Sequence, residues 1–298
     1  MRRGLKSRKR DSLRELVPWL FVAPLLIVHI LVILGPALGA VFFSLTDWSG
    51  LGKADFIGLG NFARMFNDAV YHKALLNNVK WTLIFLTVPI TMALVAAYLL
   101  SGVHRCQLIF RLGFFIPYVL PSVVNAHIWQ TLFHPFRGIG AQLSKAGYPA
   151  FDIKFFGDPN VVLYSIAWVD NWHWWGFLVV VFLAAMQGIE PSLYEAARID
   201  GANRFQQFRH VTMPGIRPTV VFIMLMTTIW SFLVFDYVFV LTQGGPANAS
   251  EVLGTYAYKL AFTRFEAGYA AAVGVSMSII TGMVVSLFLY LRRKGWEI

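Results

Sequence analysis

A chain of 298 residues with 57% hydrophobic and only 13% charged residues falls outside the range of soluble domains, which run about 45–50% apolar and about 25% charged. Mean hydropathy is +0.62, and the apolar excess lies in long runs, so lipid is the expected solvent. A net charge of +10 would suit nucleic acid on a soluble protein, but here the basic residues gather at the ends and in particular loops, as membrane orientation requires.

From the N-terminus, Met1 to Arg14 is strongly basic and an apolar run from Pro18 to Leu45 follows. That run is far longer than the roughly 7–15 apolar residues of a secretory signal, so it reads as a retained first span. Residues 1–17 are therefore expected to form a basic cytoplasmic tail, and 18–298 one transmembrane domain. About 20 mostly apolar residues cross the hydrocarbon core as a helix. Six stretches qualify: Trp19–Phe43, Val79–Ser101, Leu108–Phe133, Val161–Met186, Thr219–Leu241 and Gly268–Leu291. Pro24, Pro36, Pro89, Pro117 and Pro121 fall inside them, which is tolerated where neighbouring helices satisfy the freed carbonyls. The fold class expected is all-α, a polytopic membrane protein of six transmembrane helices. The single cysteine, Cys106, excludes an internal disulfide, and no metal site is expected. His29, His127 and His173 show no paired spacing of haem ligands.

Six spans put both ends and the 187–218 loop on one side. That side carries Arg2, Arg3, Lys6, Arg8, Lys9, Arg10 and Arg14 at the start. Arg105, Arg198, Arg204, Arg209, Arg217, Arg292, Arg293 and Lys294 join them. Against roughly fifteen such charges the other side has roughly eight, an excess that favours both termini in the cytoplasm. Arg111, near the start of the third span, is expected to snorkel to the headgroups.

The 187–218 loop is unusually structured. Ser192-Leu-Tyr-Glu195 fits a capping box, predicting a helix through Ile199 that stops at Gly201, a good left-handed terminator. Asn203-Arg-Phe-Gln206 offers a second start, for a helix carrying Phe205 and Phe208 on one face until Pro214 ends it. The result is a helix–turn–helix knob standing out of the membrane. Its alanines allow close approach, while Glu195 and Asp200 can pair with basic groups. The plainer reading is an amphipathic loop on the headgroups. A DNA reader tethered between two spans is excluded by its setting.

Glu195-Ala196-Ala197, then Gly201, then Val211-Thr212-Met213-Pro214 resembles the EAA loop of ABC-importer permeases, which runs E-A-A, three residues, G, nine residues, I-x-L-P. Val211 and Met213 replace isoleucine and leucine conservatively. Tyr194 to Asn203 resembles the carbohydrate-uptake branch, as do Phe56-Ile-Gly-Leu-Gly-Asn-Phe62, Leu241-Thr-Gln-Gly-Gly-Pro246 and Gly268-Tyr-Ala-Ala271. The likeness covers the chain from about Pro18 onwards and is nearest the maltose and glycerol-phosphate type.

The resemblance implies a permease subunit of a binding-protein-dependent sugar importer in the bacterial inner membrane, which would also admit a polyol or glycerol-phosphate-like solute. Its loop, carrying Glu195, Ala196, Ala197, Asp200, Gly201 and Pro214, would dock on a separate cytoplasmic ATPase. The partners implied are a second, homologous permease (as a heterodimer), two ATPase subunits and an extracytoplasmic solute-binding protein. Membrane lipid surrounds the chain, and no nucleic acid is involved. ATP and magnesium would be bound by the ATPase, leaving no cofactor in this chain. No G-x-x-x-x-G-K-[ST] phosphate loop and no catalytic residue set occurs in the sequence, so it does not read as an enzyme.

Polar groups at membrane depth usually face a bundle interior or a water-filled path. The third span holds Asn125, His127, Trp129 and Gln130, the fourth Asp170-Asn-Trp-His-Trp-Trp175, and the fifth Trp230, Asp236 and Tyr237. Carboxylates and amides suit sugar hydroxyls and aromatic rings suit sugar C–H faces, which makes Asn171, Trp175 and Asp236 candidates for a substrate path. The alternative is that the tryptophans form an interfacial belt or pack between helices, with Asp170 and Asp236 held by interhelical hydrogen bonds. A stand-alone secondary transporter or channel would use these acids as ion sites, but gives no account of the loop.

Overall fold

The computed structural model describes residues 18–103 and 105–293; the basic segment 1–17 and the last charges, from Lys294, lie outside them. Among the described residues five helices are long and apolar enough to cross a membrane, and a sixth crossing is made if one bent pair counts as a single span. This is an all-α polytopic fold.

The first span, α1 (Pro18–Phe43), buries none of its apolar run inside the chain and touches the rest of it mainly through the last helix. A single π turn at Ile30–Leu34 precedes Pro36. The wider turn accommodates a residue that cannot supply an N–H. A short helix α2 (Gly60–Phe66) leads to α3 (Ala69–Ser101). The sequence pattern predicts α3 from Val79, but the helix starts well before that, at Ala69. Asp68 caps it, its Oδ1 accepting from the N–H of Val70 at 2.8 Å and of Tyr71 at 3.2 Å. The polar Asn77 and Asn78 hide this first part from a hydropathy window, yet both are buried. Asn77 donates to the carbonyls of Ala249 and Glu251, and Asn78 to that of Ser231.

The third span is broken. Helices α4 (Gln107–Val119) and α5 (Ser122–Leu132) meet at 96°. Leu120 and Pro121 between them are extended, with ψ of 135° and 141°. A residue before proline is driven out of the helical region, so the bend sits where Pro121 requires it. The freed Leu120 carbonyl accepts a hydrogen bond from His173 Nε2 at 3.2 Å.

At the centre runs α7 (Val162–Gln187), after a short α6 (Ile139–Lys145). Ile166, Leu178, Val179, Phe182 and Leu183 are fully buried, and α7 packs along α3 and α4. Lipid tails are as apolar as leucine, so helices in a bilayer associate by close packing and favour small residues at contacts. Ala93 and Ala97 of α3 and Ala167 of α7 are such contacts, each 1% exposed or less. Gly176 is the tightest: a Cβ there would lie 1.7 Å from the Phe114 carbonyl oxygen of α4.

After α8 (Pro191–Ile199) comes α9, which runs unbroken from Arg204 to Phe232. Beyond it lie α10 (Asp236–Leu241), α11 (Leu253–Phe262) and α12 (Ala267–Arg293). The expected single span Thr219–Leu241 is thus shifted. The helix begins well before Thr219 and ends at Phe232, and the segment from Asp236 is a separate short helix.

A second packed cluster joins α2, α3, α11 and α12 through Met65, Tyr71, Leu253, Tyr256, Leu260 and Tyr269. Its polar centre is Asp68, whose Oδ2 accepts from the hydroxyls of Tyr256 and Tyr269. Burial alone would raise the Asp68 carboxyl. The two tyrosine hydroxyls and the N–H groups of Tyr71 and Val70 outweigh burial and hold it below its ordinary value. The same burial and hydrogen bond push the Tyr256 phenol up.

Candidate functional site

The residues that the sequence singles out lie in the loop between α7 and α9 and in and around a cavity among the helices. In the loop, Gly201 has φ of +80°, a conformation that costs an L residue roughly 1–2 kcal/mol, and it closes α8 as its position predicts. The start of α8 differs from the expectation. Glu190 is the N-cap and makes no side-chain cap bond, so Ser192 and Glu195 form no capping box. Pro191 takes the first helical position, where its missing N–H costs nothing, and this moves Ser192 inside the helix. The capping box lies instead at the second start: Asn203 Oδ1 accepts from Gln206 N–H at 2.9 Å, and Gln206 Oε1 from Asn203 N–H at 2.8 Å.

Pro214 does not end this second helix. A π turn at Phe208–Thr212 precedes it, and Pro214 sits in the first turn of the α-helical stretch beyond that turn. The chain therefore continues from Arg204 into the membrane as one rod of 29 residues, about 40 Å at 1.5 Å per residue. The two phenylalanines separate. Phe208 packs edge-on against Tyr98 of α3 at 4.9 Å, while Phe205 is 68% exposed. Tyr98 also donates to the Arg204 carbonyl at 2.7 Å. Tyr194 of α8 shares a 2.9 Å hydrogen bond with Thr212, pinning the two helices of the knob together. Glu195, Ala196, Asp200, Gly201 and Pro214 are exposed, with Ala197 partly covered. Leu193 and Ile199 stand beside them 52% and 86% exposed, a surface whose apolar character the charged motif residues do not announce.

The cavity, of about 400 Å³, lies between α3, α4, α5, α7, α9 and α10. Trp81, Tyr118, Trp174, Trp230 and Tyr237 supply aromatic wall, and Asp170, Asp236, Ser122 and Thr227 supply oxygen. Trp174 meets Trp230 edge-on at 4.8 Å, and Tyr118 stacks on Phe177 at 4.7 Å. Asp236 Oδ2 accepts from Ser122 Oγ at 3.0 Å, and Tyr237 Oη accepts from Asn125 Nδ2 at 2.8 Å. The break before Pro121 and the break at 233–235 place Ser122, Asp236 and Tyr237 on the wall.

Of the three path residues the sequence singles out, Asp236 lines this cavity and the other two do not. Asn171 is buried against α3, its Nδ2 3.6 Å from Met92 Sδ. Trp175 turns toward Phe114, ring to ring at 4.9 Å. Trp174, one residue earlier, takes the wall position. Asp170 is on the wall as well, with no interhelical hydrogen bond among the described residues. Thr227 carries no signal in the sequence that marks it.

Residues 89–294 match the family model described as a binding-protein-dependent transport system inner membrane component. The probable ABC transporter permease protein YurN of Bacillus subtilis is 36% identical over 271 residues, covering 90% of this chain and 92% of that one. The lactose transport system permease protein LacF of Rhizobium radiobacter is 33% identical, with 96% and 97% covered. In fold, the chain superposes with a TM-score of 0.86, at 22% identity and 97% and 98% coverage, on a solved bacterial alginate ABC transporter in complex with an alginate pentasaccharide-bound periplasmic protein. By its family match and its relatives, this chain belongs to the inner-membrane permease components of binding-protein-dependent transport systems.

Proposed function

We propose that the chain is one permease subunit of an ATP-driven sugar importer, forming half of the path with a second, homologous permease. One of two ATPase subunits would dock on the α8–α9 knob from the cytoplasm, the other on the second permease, and a solute-binding protein would deliver sugar from outside. Both termini would then be cytoplasmic, as the charge bias favours. The names of relatives such as LacF support a saccharide cargo.

The observation that carries this reading is mechanical. The helix that begins in the knob, α9, ends in the cavity: Thr227, Trp230 and Ser231 on its far end are wall residues. A push on Glu195, Leu193 and Ile199 is passed through the Tyr194–Thr212 bond to a single rod. The rod then swings the wall, which is alternating access by rigid-body movement. The aromatic rings and carboxylates of the wall suit a sugar's C–H faces and hydroxyls.

The test separates this from a stand-alone secondary transporter. Radiolabelled sugar uptake in cells carrying the full gene set should stop on ATP depletion and survive an uncoupler while ATP is held up. Uptake that survives ATP depletion and stops with the uncoupler contradicts the proposal.

A further inference from the structure

The cavity wall has an unbalanced charge. Asp170 and Asp236 both line it, and no lysine or arginine among the described residues does. Asp236 has the Ser122 hydroxyl as a partner, whereas Asp170 has no hydrogen bond or ion pair among the described residues. The histidine on the wall, His173, spends its Nε2 on the Leu120 carbonyl. Ionisable groups at membrane depth are costly and call for a partner.

A second, independent sign of a ligand is Thr227. It is 3% exposed, lines the cavity, and its Oγ1 has no hydrogen-bond partner among the described residues. Its neighbours on the same helix behave otherwise. Thr228 donates back to Met224 O at 2.8 Å and Ser231 to Thr227 O at 2.7 Å. The Thr227 hydroxyl is thus buried at the wall with its bonding capacity unspent, a loss that a bound donor or acceptor would recover.

We infer that the solute passing this cavity carries a protonated amine: an amino sugar, or a sugar or polyol joined to an amine, held by Asp170, Asp236 and Thr227 against the wall that Trp174 and Trp230 form together. An ammonium group offers three donors and no acceptor, which matches carboxylate and hydroxyl acceptors. It is also drawn to the faces of indole rings, tryptophan being the best of the aromatic partners. A bare metal cation would instead ask for a shell of oxygens, and this wall is mostly aromatic carbon. At about 400 Å³ the cavity is near the lower end of small-molecule sites, about 300–1,000 Å³, which suits a solute of one or two rings.

The inference rests on the reading of the chain as a sugar permease, and one titration separates the two. The chain is purified through a C-terminal tag with the subunits that accompany it and placed in lipid nanodiscs. Tryptophan fluorescence is then followed against two isosteric disaccharides, the β-1,4-linked glucosamine dimer and cellobiose, which differ by ammonium against hydroxyl. Trp81, Trp174 and Trp230 on the wall report on the cavity, and the other seven tryptophans of the chain set a background common to both titrations. The expected result is quenching by the amine dimer at a concentration at least tenfold below that for cellobiose, with the preference falling to about twofold or less in Asp170→Asn and in Asp236→Asn. Equal midpoints in the wild type overturn the amine assignment, give the neutralising charge to the facing permease, and leave the sugar path standing. No quenching by either overturns both. A wild-type preference that both variants keep overturns the role of these carboxylates. The wild-type comparison decides the substrate class by itself should a variant fail to assemble.

Discussion

Replacing Gly176 with alanine tests the packing at the centre of the bundle. The added Cβ would sit 1.7 Å from the Phe114 carbonyl oxygen, where comfortable contact begins near about 3.5 Å. A backbone carbonyl on a helix cannot swing aside like a side-chain end, so α4 and α7 must part by well over 1 Å. Overpacking of this kind costs about 1–3 kcal/mol, and the rigid partner puts this case at the top of that range. At about 2–4 °C per kcal/mol for a large chain, the midpoint should fall by roughly 6–12 °C. Gly113→Ala is the matched control, since it lies on α4 beside Phe114 but its Cβ meets nothing within 4 Å. Both variants would be heated in mild detergent and the surviving monodisperse fraction read by size exclusion. Gly176→Ala melting with Gly113→Ala would refute the close approach of the two helices.

The geometry makes three further substitutions informative. Gly201→Val forces a branched residue to φ of +80°, where strain is of order 1–3 kcal/mol; the chain should insert at normal levels while ATP-driven uptake is lost, measured as uptake per inserted chain. Asn78→Leu leaves the Leu253 N–H and the Ser231 carbonyl without their partners at 2.8 and 2.9 Å; at about 1–3 kcal/mol for each buried orphan, it should lower the thermal midpoint more than Asn67→Leu on the exposed surface. Asp68, held below its ordinary carboxyl value of 3.8, contributes stability that is fully present above that pH and lost as pH falls through the lower folded value. Asp68→Asn should therefore lower the melting midpoint at pH 7, and the gap to wild type should narrow progressively below about pH 4.

The spans are legible in the sequence because lipid leaves few alternatives to a long apolar helix, and the loop is legible in part, because the start at Asn203 and the stop at Gly201 are local. What escapes is non-local. The first ten residues of α3 look too polar to enter a bundle, and only the carbonyls of Ser231, Ala249 and Glu251, far along the chain, explain Asn77 and Asn78. Pro214 reads as a stop because proline lacks one N–H, but the π turn just before it absorbs that loss. Trp174 rather than Trp175 faces the cavity for a similar reason. Apolar residues are spread over every face of helix α7, so periodicity gives no direction, and the approach of α4 at Gly176 and the break at Pro121 set which ring turns inward. Thr227 is one hydroxyl among several on α9, distinguished by a bond it does not make.

The central claim is that the α8–α9 knob couples this chain to an ATPase. The direct measurement is ATP hydrolysis by whatever co-purifies with the C-terminally tagged chain in mild detergent, compared between wild type, Gly201→Val and Glu195→Lys. The account predicts activity that arrives with the wild-type chain and is absent from both variants at equal yield of folded chain. A well-folded wild-type chain that brings down no ATPase, or variants that retain it in full and transport normally, would contradict it.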